Sequence, residues 1–159
     1  MDPYQPPKAG IADPMRGPGS AFKAVTLGLL VDIGGTLLSG VLMSLLYSMY
    51  LASTGLPIDQ LQEQLQSDFH QGWLFGIASA IGCSLSVLGG YACARIARRD
   101  DLTLPIVMAA ISAGLGLLLG WSTYSAIEML SLGALTVACI FFGYRLGMRR
   151  VARVQQRPS

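Results

Sequence analysis

Two carboxylates, Asp32 and Glu128, lie within stretches that are otherwise apolar. An acid placed inside lipid can take up and release a proton or hold a cation, so these two side chains are the first place to look for chemistry. Asp32 is the sharper case. It sits in LLVDIGGTLLSG, from Leu29 to Gly40, and insertion scales charge about 2.5 to 3.5 kcal/mol for an acid at a helix centre, more than a packing contact returns. Two readings follow: a neutral Asp hydrogen-bonded to a neighbouring helix, or a proton or cation site. Glu128 falls early in the fourth helix, near the opposite interface. It reads either as an acid snorkelling at a helix N-terminus, where the dipole favours it, or as a second step on a vertical wet path with Asp32. Their depths differ by about 13 Å in a core of ~30 Å, so direct pairing is not expected.

Other chemistries find little support. His70 is the only histidine and falls at an interface, no Ser, Cys or carboxylate pair is spaced as an activated nucleophile, and no His and Cys cluster has metal-ligand spacing. Cys83, Cys93 and Cys139 show no CxxC spacing and read as small packing residues. The glycines lie within apolar spans, where no phosphate-cradling loop forms. The chain is therefore expected to catalyse nothing and to hold no metal or cofactor.

The elements that must carry these residues are membrane helices. At 159 residues, 52% hydrophobic and 13% charged, with a mean hydropathy of +0.52, the chain is too apolar for an ordinary soluble fold. An apolar core of ~30 Å takes about 20 residues of helix, and four segments meet that length. They are placed at 23–50, 70–97, 104–122 and 125–146 within an integral membrane four-helix bundle over 23–146. Residues 1–22 hold five of the eight prolines and read as a disordered tail without a cleavable signal, so the first helix is expected to be retained. Residues 147–159 read as a basic tail.

All eleven basic residues lie before or at the very start of helix one, around the junction of helices two and three, or at the end of helix four and beyond, while 51–69 and 122–125 have none. The positive-inside rule then puts both termini and the 98–103 hairpin in the cytoplasm, in a cell inner membrane. Pro105 suits the first turn of helix three with Asp101 or Thr103 as its cap, and Asp68 with Gln71 has capping-box spacing before helix two. In the 51–69 connection, Ile58, Leu61 and Leu65 share one face, which predicts a short amphipathic helix after Pro57.

Small residues mark expected helix contacts. Gly28, Asp32, Thr36, Gly40, Ser44 and Ser48 form one stripe on helix one. Helix two repeats the theme with Gly72, Gly76, Ala80 and Ser84, and with Ser79, Cys83, Ser86, Gly90 and Cys93. Helix three offers Ala109, Ala113, Gly116 and Gly120. Such faces let backbones approach within one chain, or leave a face for a homo-oligomer or larger membrane complex. Gly34 and Gly35 permit a local bend beside Asp32. Arg95, Arg98, Arg99, Arg145, Arg149 and Arg150 are expected to contact anionic headgroups, each gaining about 1 kcal/mol near the surface. Lipid is the expected partner and nucleic acid is not, since the basic tail lacks interleaved aromatics.

The run VLGGYACARIARRD, with Gly-Gly-Tyr-x-x-Ala-Arg from Gly89 to Arg95, is similar to small bacterial four-helix inner-membrane proteins that have no assigned activity. LVDIGGTLLSG resembles the first helix of the small multidrug resistance transporters, in which an intramembrane acid is followed shortly by Gly and Thr. That resemblance implies a proton and cation-substrate site at Asp32 with Gly35 and Thr36 as neighbours, although the acid is Asp here where that family has Glu. Taken together, the sequence puts first a structural or accessory membrane protein, and second a small proton-coupled transporter using Asp32.

Overall fold

The structure is a computed structural model that describes residues 19–121 and 124–155. The expected N-terminal tail therefore lies outside the described residues up to position 18, as do Ser122, Thr123, Arg157 and the side chains of His70 and Arg153. In chain order the elements are α1 (Ala21–Leu29), a π turn (Leu30–Gly34), α2 (Gly35–Ser53), α3 (Ile58–Gln71), α4 (Trp73–Ala97), α5 (Thr103–Gly120) and α6 (Ala126–Gln155). Every regular element among the described residues is helical. α1, the π turn and α2 are continuous, so four helices are long and apolar enough to cross a membrane: Ala21–Ser53, Trp73–Ala97, Thr103–Gly120 and Ala126–Ala152. The chain is a multi-pass membrane protein. Leu37, Leu38, Val41, Leu45 and Leu46 on the first span stay exposed in the isolated chain, as befits side chains whose solvent is lipid.

Local chemistry sets the helix ends. Arg98 closes α4 in the left-handed region at φ 51°. The Asp101 carboxylate accepts the Thr103 N–H at 3.0 Å, and Pro105 lies in the first turn of α5, where a missing N–H is harmless. Tyr144 of α6 is buried, and its hydroxyl donates to the Arg99 carbonyl at 2.9 Å while accepting the Asp101 N–H at 3.3 Å. The hairpin is thus tied to α6. Two expectations about ends need correction. Asp68 does not cap α4: it lies inside α3, where its carboxylate accepts from Tyr47 and Gln64, and Gly72, with an extended backbone, separates α3 from α4. The supposed tail from 147 is helical through Gln155, because MRRVARVQ holds good helix formers and no Gly or Pro.

Close packing depends on a few glycines. A Cβ at Gly143 would strike the Val87 carbonyl, one at Gly147 the Ala94 side chain and the Tyr91 carbonyl, and one at Gly90 the Ile140 carbonyl. These contacts bring α4 and α6 together as parallel neighbours. α1 meets α4 through a reciprocal pair, a Cβ at Gly28 lying 3.0 Å from the Gly89 carbonyl and one at Gly89 lying 2.7 Å from the Gly28 carbonyl. Around that junction Ala24, Cys93, Ala94, Ala97, Leu104, Met108, Ala109, Ile140 and Tyr144 form a dry core. It fills the end of the molecule that carries the arginines.

Candidate functional site

Asp32 sits where that core ends. It lies in the π turn, one helical turn beyond Gly28, and is only 2% exposed. Its two carboxyl oxygens have separate partners on separate helices: Ser86 Oγ of α4 donates to Oδ1 at 2.6 Å, and Ser112 Oγ of α5 donates to Oδ2 at 2.6 Å. Thr36 Oγ1 returns to the Asp32 carbonyl at 2.6 Å, satisfying a backbone acceptor in the widened turn. Both side-chain partners are hydroxyls, and a hydroxyl both donates and accepts. The same three groups can therefore stay bonded whether the carboxyl carries a proton or not, which is a requirement for a group that exchanges one.

Beyond Asp32 the helices part around a cavity of about 390 Å³. Its floor is Asp32 with Ser86, Ser112 and Thr36; Ile33, Leu37, Leu115, Leu132 and Gly133 belong to its walls, and Phe69, Phe75 and Tyr124 stand toward the far end. The Phe75 and Tyr124 rings are 6.5 Å apart. The volume falls within the range of small-molecule sites, and the lining follows their usual pattern of apolar walls with a few convergent polar groups. On the other side of Asp32, toward the core, Met108 Sδ lies 3.0 Å from a Cβ placed at Gly28.

The other sequence-marked residues distribute unevenly. Gly28 and Gly90 sit at close helix contacts, and Gly120 lies against the Tyr124 ring. Gly40, Gly76 and Gly116 would place a Cβ within 4 Å of nothing among the described residues, so none of the three marks a close helix approach there; Gly116 borders the cavity. On the first span the stripe makes its close approach at Gly28 and Asp32, and further along Ser44 and Ser48 are half-buried. Gly34 and Gly35 keep ordinary helical angles. The distortion at Asp32 is the π turn that ends at Gly34, a feature often found at functional sites.

Glu128 does not join Asp32. It is exposed at the start of α6, where its Oε2 accepts from the Ser125 N–H at 2.9 Å and the Ser125 hydroxyl at 2.8 Å, while Ser125 Oγ accepts the Glu128 N–H at 3.4 Å. This is a capping box, legible as Ser125-x-x-Glu128 before an apolar run. The arginines gather at one end. Arg150 Nη1 donates to the Tyr91 hydroxyl at 3.3 Å, the Arg95 guanidinium stands 5.9 Å from the Tyr91 ring centre, and Arg145 and Arg149 border a hollow with Asp100 and Met148. Arg98 is exposed beside the half-buried Arg99. At Asp101, hydrogen bonds from Thr103 hold the carboxyl below its ordinary value, with the nearby Arg99 charge adding to the effect.

Ser112 is the residue at Asp32 that the sequence does not single out. It is the only polar side chain in the interior of α5, and a lone hydroxyl in an apolar span needs a partner. That was the available signal. By fold and site, then, the chain is a multi-pass membrane protein with a buried acid at the floor of an apolar cavity. Compared with known protein families, curated proteins and solved structures, it matches none.

Proposed function

We propose that the protein is a small proton-coupled carrier in which Asp32 exchanges a proton, or a cationic solute, with the cavity above it. The observation that carries this reading is the meeting of one carboxyl, two hydroxyls and a solute-sized apolar cavity at a single point in the membrane span. Apolar walls and the aromatic rings Phe69, Phe75 and Tyr124 suit a solute with apolar bulk and a positive charge, which a carboxylate and ring faces attract. The likeness of LVDIGGTLLSG to the small multidrug resistance transporters agrees with such a role. A purely structural acid would be served by a dry contact, with no cavity beside it.

In the same proposal the four spans form one bundle in a cell inner membrane, with the arginine-rich end and both termini in the cytoplasm. The eleven-to-zero distribution of basic residues supports that orientation. The cavity then faces outward, the core closes the inner side, and the arginines lie at the anionic leaflet, where phosphate attracts them.

The test is Asp32→Asn in proteoliposomes carrying an internal pH-sensitive dye, with a panel of lipophilic cations added outside under an imposed proton gradient. The wild type is expected to couple proton movement to uptake or efflux of a cation, and the variant to lose coupling while keeping its melting temperature within a few degrees. Unchanged coupled flux in Asp32→Asn removes the acid from the mechanism. No coupled flux in the wild type returns the function to a structural or accessory role.

A further inference from the structure

The arginines at the basic end do not all do the same thing. Arg150 donates to the Tyr91 hydroxyl and Arg95 stands over the Tyr91 ring, whereas Arg145 and Arg149 are exposed and border an open hollow of about 420 Å³. Its other walls are Asp100 and Leu102 of the hairpin between α4 and α5, with Tyr144 and Met148 of α6. Arg145 and Arg149 are one helical turn apart and so start from neighbouring positions on one face of α6. Asp100 borders the same hollow from the hairpin. Among the described residues, no ion pair or hydrogen bond engages Asp100, Arg145 or Arg149. Their capacity is left for an occupant.

The frame around these three charges is fixed in advance. The Tyr144 hydroxyl ties the hairpin to α6 at Arg99 and at Asp101, the residues on either side of Asp100, and Met148 packs against the dry core. Leu102 is an apolar side chain at the rim, 56% exposed. The hollow lies where the third span begins at Thr103 and the fourth ends at Ala152, which is the level of lipid headgroups. Guanidinium groups bind phosphate in paired hydrogen bonds, and basic pockets at this depth take phospholipid headgroups. Asp100 sets this hollow apart from a plain basic patch. A phosphate held by the arginines brings only repulsion to Asp100 unless the same headgroup carries a cation. A phosphodiester joined through a short ethyl link to a primary ammonium meets all three charges, and its N–H groups can donate to the carboxylate; a trimethylammonium has none to donate. We infer that the hollow is a binding site for the headgroup of a phosphatidylethanolamine-type lipid, with Arg145 and Arg149 on the phosphate, Asp100 on the ammonium, and Leu102 and Met148 against the glycerol and first acyl carbons. The site is independent of Asp32.

The full chain in a non-ionic detergent can be titrated with phosphatidylethanolamine, phosphatidylcholine and phosphatidylglycerol of matched acyl chains, with bound lipid counted by native mass spectrometry. The wild type is expected to bind one phosphatidylethanolamine about fivefold more tightly than either of the others, the upper range for an exposed charge pair. Asp100→Asn should erase that preference, and Arg145→Gln with Arg149→Gln should weaken all three lipids. Arg98→Gln, at a residue that does not border the hollow, should keep the wild-type order. So should Asp32→Asn, which separates this site from the carrier proposal. The preference is a ratio measured in one sample, so a partly unfolded variant does not imitate its loss. Free glycerophosphoethanolamine distinguishes a lipid from its soluble headgroup, and at equal concentration it should not displace the lipid. Equal affinity for the three lipids in the wild type, or tightest binding of phosphatidylglycerol, overturns the site. So does a preference that survives Asp100→Asn, binding unchanged in the double arginine variant, or displacement by the free headgroup.

Discussion

Replacing Gly89 by alanine tests the geometry of the acid site while keeping the acid itself. A Cβ at this position would lie 2.7 Å from the Gly28 carbonyl, 2.8 Å from Met108 Cε and 3.1 Å from Asp32 Cβ. Met108 can yield at its flexible end, but the Gly28 backbone cannot. Restoring an ordinary contact of 3.4 Å parts α1 from α4 by about 0.7 Å, which stretches the 2.6 Å bond from Ser86 to Asp32 to about 3.3 Å, beyond the 2.5 to 3.0 Å range of O–H···O bonds. Overpacking costs about 1 to 3 kcal/mol, and an interhelical hydrogen bond in lipid contributes about 0.6 kcal/mol on average and about 1.7 at most. Against these stands a gain of about 1 kcal/mol from replacing Gly by Ala within a helix. The net expectation is a destabilisation of about 1 to 3 kcal/mol. Gly40→Ala, where a Cβ meets nothing, is the matched control and should be neutral or slightly stabilising. Reversible unfolding in mixed micelles of SDS and a mild detergent, followed by circular dichroism, measures both. Equal stability of Gly89→Ala and wild type, or equal losses in the two variants, would refute the placement of Asp32 against α4 through the Gly28 and Gly89 contact.

Two further outcomes follow from the helix ends. Glu128→Ala removes the acceptor of the Ser125 N–H and hydroxyl and should lower stability by about 1 kcal/mol; proteoliposomes should show its flux unchanged, and a lost flux would put Glu128 back on the proton path. Asp101 has a folded-state pKa below its ordinary 3.8 because Thr103 hydrogen-bonds the carboxylate. A depressed pKa contributes stability above the unfolded value and loses it as pH falls through the folded one. The melting temperature of wild type should therefore exceed that of Asp101→Ala at neutral pH, with the gap closing below pH 3.8. A gap independent of pH would mean that the charge on Asp101 does not stabilise the hairpin.

The spans were legible because their signal is compositional: about 20 apolar residues in a row have few other uses. The α3 helix was legible from the phase of Leu61 and Leu65, and both side chains are half-buried. Asp32 facing protein followed from the energetic penalty of any other direction. What escaped depends on rotation and register between helices. Which face of α5 meets the first span is set by how Leu104, Pro105 and Met108 fill the core, and the spacing of Ala109, Ala113, Gly116 and Gly120 does not encode it. Nothing in VDIGGT specifies a π turn, so the shift of helical phase beside Asp32 is not encoded in a step-of-four pattern. Asp68 misled because a capping box and a mid-helix acid share the same local letters. Its bonds with Tyr47 and Gln64 decide the matter.

The seam between α4 and α6 restricts how this molecule can move. Where a Cα hydrogen rests on a facing carbonyl there is no side chain left to compress or swing, so neither helix can slide without lifting the other. These two helices behave as a stator. α2 has no such seam: several of its leucines are exposed, its tie to α3 is the side-chain bond from Tyr47 to Asp68, and its root is the widened turn at Asp32. The turn that holds Asp32 is also the joint between α1, packed against α4 at Gly28, and α2, whose first residues wall the cavity, so the angle of that joint sets the width of the chamber directly above the carboxyl.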